Sequence, residues 1–190
     1  MTGPALAPRR RALVGAARLT PALWLPALSL LSACSTVPAR SSADGWTQGR
    51  LLLRVDATAA QAAQSVTAAF ELQGDSNSGE LRLLTPLGTR LATALWSPHQ
   101  VLLSTPEGER TFASLDDLSQ QTLGQSVPLA ALPDWLAGRP WPGAAFQTQA
   151  QGFEQLGWQV STAGRAEGLV EARRATAPAI LLRVRLELPA

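Results

Sequence analysis

Tyrosine and lysine are absent from this sequence, and cysteine and histidine each occur once. A single cysteine excludes an intrachain disulfide. One cysteine and one histidine exclude cysteine–histidine catalysis and the usual zinc sites, which draw on several such ligands. His99 follows Trp96-Ser97-Pro98 in a turn and reads as a solvated surface residue. A Ser/His/Asp triad would have to recruit it, and no Gly-x-Ser-x-Gly accompanies it. No phosphate loop or dinucleotide fingerprint is present. Asp116 and Asp117 are adjacent and so point in different directions on a helix, where stabilisation of the helix start accounts for them. Glu107 and Glu109 flank a turn glycine and read as solvated. All positive charge is arginine, scattered on polar faces without aromatic interleaving, which gives no footprint for nucleic acid. The sequence therefore assigns no catalytic residue, no metal ligand set and no cofactor.

What is present begins with a targeting pattern. Arg9, Arg10, Arg11 and Arg18 form a basic start, and Leu19–Leu31 is apolar but short for a membrane span. Leu31-Ser32-Ala33-Cys34 follows, a small-residue cleavage site ending in the one cysteine. It resembles a bacterial lipobox, with residues 1–33 removed and Cys34 acylated. An ordinary secretory signal is the alternative, and the cysteine's position favours lipidation. Arg10-Arg11 could mark twin-arginine export, although the surrounding residues fit that poorly. Ser35 stands where an aspartate would resemble an inner-membrane retention signal. Four of the 16 basic residues leave with the signal, so 16 − 4 = 12 stand against 14 acidic ones, a net of −2. The high isoelectric point thus belongs to the signal. Residues 34–45 form the lipidated cysteine and a polar Pro/Gly/Ser-bearing tether, and 46–190 form one domain, long enough for a sizeable core.

From Trp46 the chain alternates as strands do. Gly49–Asp56 sets Leu51, Leu53 and Val55 opposite Arg50 and Arg54. Asp56–Gln64 reads as a loop or a strand extension. Ser65–Gln73 sets Val66, Ala68, Phe70 and Leu72 on one face. Glu80–Thr85, Arg90–Trp96, His99–Thr105 and Glu109–Ala113 complete six strands joined by short turns, an antiparallel meander. The period then changes. Ser114 is placed as an N-cap, with Leu115, Leu118 and Leu123 along one side and Gly124 at the end. Ser126 is expected to cap a second helix that Pro133 kinks and Gly138 ends. Phe146–Gln151, Gln155–Ser161, Gly168–Arg174 and Ile180–Leu188 return to strands, with Leu156, Trp158 and Val160 on one face. About ten strands imply a curled sheet. The expected fold is mainly β: a curled antiparallel sheet forming an incomplete β-barrel under a short helical lid.

Between two of these strands lies Pro86-Leu87-Gly88, a turn whose tip carries a leucine where polar residues are usual. Leu87 either folds back into the core or faces something apolar. Five tryptophans remain after the signal, and core filling explains most of them singly. The alternative is that Phe70, Leu81, Leu83, Trp96, Leu136 and Trp158 line an apolar cavity inside the curl. Those inward positions rest on alternation, which a one-residue slip would reverse.

Four blocks in order carry a resemblance. They are Trp46-x-x-Gly49-Arg50-Leu51, Phe70-Glu71-Leu72-Gln73-Gly74, Leu81–Gly88, and Pro128-Leu129-x-x-Leu132-Pro133-x-Trp135-Leu136-x-Gly138. Together, behind a lipoprotein signal, they resemble the LolB family of outer-membrane lipoprotein receptors. The amphipathic helix that such proteins can carry in the tether is not evident in Ser35–Gly45. The resemblance implies a monomer held by Cys34 at the outer membrane, facing the periplasm. It implies that triacylated lipoproteins arrive from a LolA-like carrier and pass to the inner leaflet. It assigns Pro86, Leu87 and Gly88 to a membrane-insertion loop and agrees with an acyl-chain cavity. A structural or assembly lipoprotein that binds a protein through its sheet is the alternative, with a hydrolase built on His99 a distant third.

Overall fold

The computed structural model describes residues 45–59 and 61–188. Cys34, the targeting segment and the tether to Asp44 lie outside the described residues. Eleven strands form one antiparallel sheet: β1 (Thr47–Val55), β2 (Gln64–Gly74), β3 (Gly79–Leu84), β4 (Arg90–Ser97), β5 (Gln100–Thr105), β6 (Gly108–Phe112), β7 (Phe146–Gln149), β8 (Gly152–Gln155), β9 (Trp158–Ser161), β10 (Leu169–Arg174) and β11 (Ile180–Leu186). Their order is β6-β5-β4-β3-β2-β1-β11-β10-β9-β8-β7. Strands β6 and β7 form the two borders and do not pair, so the barrel stays open.

Strand alternation sorts the side chains into two faces. One row runs Val66, Leu53, Leu182, Ala172, Val160, Phe153 across six strands. Another runs Leu72, Leu81, Ala94, Leu103. Trp96, Val101 and Phe112 make a third. These rows point to the inside of the curl, and one hydrophobic core joins residues from both ends of the strand order. The opposite face is polar: Glu71, Arg82, Thr93, Ser104 and Glu109 lie side by side. There Arg82 binds both Glu80 and Glu71 and stacks 4.2 Å from the Trp46 ring centroid.

Two short helices close over the inner face: α1 (Leu115–Leu123) and α2 (Leu132–Leu136). Ser114 caps α1, its Oγ accepting from the Asp117 N–H at 3.0 Å, and Gly124 ends it with φ +67°. Leu115 and Leu118 are buried toward the sheet. The second helix departs from expectation. Ser126 caps nothing; its carbonyl accepts from Arg174 Nη1. A single 3-10 turn, Leu129–Ala131, leads directly into α2, and Pro133 sits in the first turn of α2, where a missing N–H is tolerated. The expected kink is therefore a helix start. Nor is Gln155–Ser161 one strand. It takes in only the last residue of β8, the turn at Leu156-Gly157 and then β9, and β8 itself, Gly152–Gln155, is the unexpected strand that raises the count from ten to eleven. Leu156 lies in that turn and does not share a face with Trp158 and Val160.

Gly49 shows how tightly the sheet is drawn. It pairs with Phe70 on one side and Leu186 on the other. A Cβ there would meet the Arg185 carbonyl and lie 3.0 Å from Phe70 Cε1. We predict that Gly49→Ala destabilises the domain by about 1–3 kcal/mol through overpacking. Urea unfolding measures this, and an unchanged midpoint would show that the Phe70 ring yields freely.

Candidate functional site

The β3–β4 loop is built to display its tip. Gly88 N–H donates to the Thr85 carbonyl at 2.9 Å, Thr85 N–H to the Thr89 carbonyl at 2.8 Å, and Thr89 N–H to Thr85 Oγ1 at 3.1 Å. Pro86 fixes one turn position, and Gly88 supplies φ +83°. The turn thus satisfies its own backbone and leaves Leu87 free. Leu87 is 95% exposed, so it does not fold back into the core. Pro86 and Gly88 are exposed beside it.

The six residues expected around a cavity divide into two groups. Phe70, Trp96, Leu136 and Trp158 are 2–6% exposed and belong to one core cluster. A side chain bordering an open hollow would show more accessible area, so in this conformation these four pack against their neighbours. Leu81 and Leu83 are half-buried. With Leu51, Leu53, Leu103 and Leu129 they form an apolar fringe against that core.

The roof is fastened by polar groups at one border of the sheet. Gln155, at the end of β8, is 1% exposed. Its Oε1 accepts from Trp135 Nε1 at 2.8 Å and from the Trp141 N–H at 2.9 Å. Its Nε2 donates to the carbonyls of Trp141 and Ala144 at 2.7 and 2.8 Å. Both lone-pair positions and both amide hydrogens are thereby used. Arg165 Nε donates to the Leu136 carbonyl at 2.7 Å, capping the end of α2. Arg174 donates to the Ser126 carbonyl and to Gln125 Oε1 from β10. Trp135 packs on Trp158 and Phe153, with ring centroids 6.1 and 6.4 Å away.

Electrostatics at the site are quiet. The Ser78 and Asn77 backbone N–H groups hold the Asp75 carboxyl below its ordinary range, and Asp75's carbonyl accepts from Trp96 Nε1 at 2.8 Å. The Thr105 hydroxyl lowers Glu107, and Arg173 then Arg183 lower Glu171. The Glu80 hydrogen bond, then Glu71, raises Arg82. Each shift favours the charged form, and all four groups sit on turns or the outer face. His99 is exposed in the β4–β5 turn. Among the described residues no cluster could hold a metal ion, and no helix is long and apolar enough to cross a membrane.

Two residues escape sequence reasoning. Gln155 carries no pattern, since one glutamine beside a turn looks solvated. Leu156 reads as a strand position because it falls in step with Trp158 and Val160. The Leu-Gly pair was the available sign of a hairpin.

The described residues thus combine an open curled sheet, an apolar inner face, a helical roof and a displayed tip leucine. A family profile described as outer membrane lipoprotein LolB matches residues 47–186, the whole of this sheet and its roof. An outer-membrane lipoprotein LolB of Bordetella pertussis is 33% identical over 157 residues, covering 73% of this chain and 78% of the relative. One of Bordetella petrii is 33% identical over 150 residues, covering 72% and 75%. One of Ralstonia nicotianae is 34% identical over 120 residues, covering 60% and 56%. The chain belongs to the LolB family of outer-membrane lipoproteins.

Gln155→Leu keeps roughly the same volume but strips the bonds to Trp135, Trp141 and Ala144. We predict a loss of about 2–5 kcal/mol, because several buried polar groups would be left unpaired. Tryptophan emission should shift to the red as the roof loosens. A stability loss under about 1 kcal/mol would show that packing alone holds α2.

Proposed function

We propose that this protein receives triacylated lipoproteins from a LolA-like periplasmic carrier and releases them into the inner leaflet of the outer membrane. The observation that carries the reading is Leu87, a large apolar side chain held almost fully in solvent by a turn that needs nothing from it. Exposing leucine so completely gives the fold no benefit, and a membrane supplies the missing apolar surroundings.

The inner face is the cargo side. Acyl chains enter along the half-buried fringe of Leu51, Leu53, Leu81, Leu83, Leu103 and Leu129 and displace the roof from the sheet. Phe70, Trp96, Leu136 and Trp158, which belong to one core cluster, then face the chains. Every methylene removed from water contributes about 0.8 kcal/mol, which compensates for parting the roof from the sheet. Acylated Cys34 keeps the domain beside its target membrane. Transfer needs no nucleotide: it runs toward whichever partner binds the acyl chains more tightly, from carrier to this face and from this face to the bilayer. No residue is assigned a bond-making or bond-breaking role.

The test separates uptake from release. A labelled triacylated lipoprotein is loaded on the carrier and mixed with the protein in the presence of vesicles. Leu87→Glu should fold and take up cargo as the parent does, while insertion into vesicles falls about ten- to a hundredfold. That range follows from the ~1.5–3 kcal/mol that burial of a leucine contributes. Insertion at the parent rate would remove Leu87 from the mechanism. Failure of the parent itself to take cargo from the carrier would favour an assembly lipoprotein.

A further inference from the structure

The exposed apolar residues are not spread evenly. Large hydrophobic side chains with substantial exposure are Val66, Leu87, Leu91, Leu95, Phe146, Leu156 and Leu188 among the described residues. Strand directions place them. Every neighbouring pair in the sheet is antiparallel, so β3 and β8 run the same way. The loop after β3, which carries Leu87, and the turn after β8, which carries Leu156, therefore lie at the same end. Phe146 begins β7, and Val66 and Leu91 stand near the starts of β2 and β4, all at that end. Five of the seven share it. The opposite end carries polar turns, Asp75–Ser78, Ser97–His99 and Ala150–Gln151.

Leu156 is the most informative of the five. It and Gly157 form a two-residue hairpin turn with φ of +55° and +74°. Turns with two positive φ values favour Asn-Gly, because a branched aliphatic side chain is strained there. Leu156 is the one residue other than glycine with positive φ among the described residues, and it is 46% exposed. It neither suits its backbone nor fills the core. Next to it, Phe146 pairs with Gln155 across the border strands and is 52% exposed, touching Phe153 edge-on at 6.5 Å between centroids. These side chains project from a turn and a border strand around a shallow, open hollow that they share with Gln147 and Glu154. That shape suits insertion into a deformable apolar phase.

We propose that this end of the sheet meets the lipid bilayer at two places, through Leu87 and through the Phe146–Leu156 pair. The proposal rests on the receptor reading and deepens it. A single tip leaves the domain free to pivot about Leu87. A second contact on β7 and β8, the border where Gln155 fastens the roof, fixes the orientation and brings the roof's attached edge to the membrane surface.

The full mature lipoprotein is tested in phosphatidylethanolamine–phosphatidylglycerol vesicles that contain nitroxide-labelled lipid. Acylation of Cys34 leaves no native thiol, so one introduced cysteine carries a fluorophore: Leu87→Cys, Phe146→Cys, Leu156→Cys, or Asn77→Cys at the opposite end. Lipid quenching stronger at 87, 146 and 156 than at 77 supports the proposal. Quenching at 87 alone overturns it and leaves the receptor reading intact. Quenching no stronger at 87 and 156 than at 77 overturns both. Leu156→Asn supplies a second measurement. It relieves the turn and should raise Tm by about 2–4 °C while weakening quenching of the 146 label. A fall in Tm would make Leu156 a packing residue and overturn the proposal.

Discussion

One buried amide holds the functional half of the molecule in register. Gln155 ends strand β8, and its four hydrogen bonds reach the α2 tryptophan and the backbone of the irregular segment after it. That segment, Trp141 to Ala144, has no ladder of its own to satisfy its polar groups. Burying it would be unfavourable without a side chain able to donate and accept at once. Glutamine and asparagine carry two donor hydrogens and a twice-accepting oxygen on one planar group, and the longer glutamine reaches from the strand end. With the amide in place, Trp135 settles on Phe153 and Trp158, and the roof becomes continuous with the sheet.

The rest of the roof is attached differently. Helix α1 rests on Leu115 and Leu118, with Ser119 Oγ accepting from the Val127 N–H and Gln121 accepting from Arg110. One side of the roof is thus pinned by a dense polar knot and by Arg165 and Arg174. The other side is held largely by apolar contact. Apolar contact is non-directional and can be exchanged for another apolar body with little loss, whereas a network of oriented hydrogen bonds cannot. The roof is therefore held more specifically on the β8 side than on the α1 side.

Much of this architecture could be read from the chain. Alternation of Leu51, Leu53 and Val55 against Arg50 and Arg54, and of Val66 to Leu72 against polar neighbours, set strands and faces correctly. Ser114 with Asp117 three residues on marked a helix start that the structure realises. Pro86-Leu87-Gly88 announced both a turn and an unusual tip. Reading failed where local signals conflicted with tertiary ones. Leu156 kept the beat of a strand, but the chain reverses there in a conformation leucine disfavours. Ser126 has a good cap's chemistry, yet its backbone is claimed by Arg174 from β10, a partner 48 residues away. How fully Phe70, Trp96, Leu136 and Trp158 fill the interior depends on how far the sheet curls and where the roof settles, which no periodicity encodes.

The direction of β1 sets a geometric condition on everything outside the sheet. Thr47 starts β1 beside the β2–β3 turn, at the end of the sheet away from Leu87. Nine residues of β1 rise about 30 Å. The point where the chain enters the sheet and the tip that carries Leu87 are therefore separated by nearly a full strand length, so the leucine is presented on the far side of the domain from Thr47.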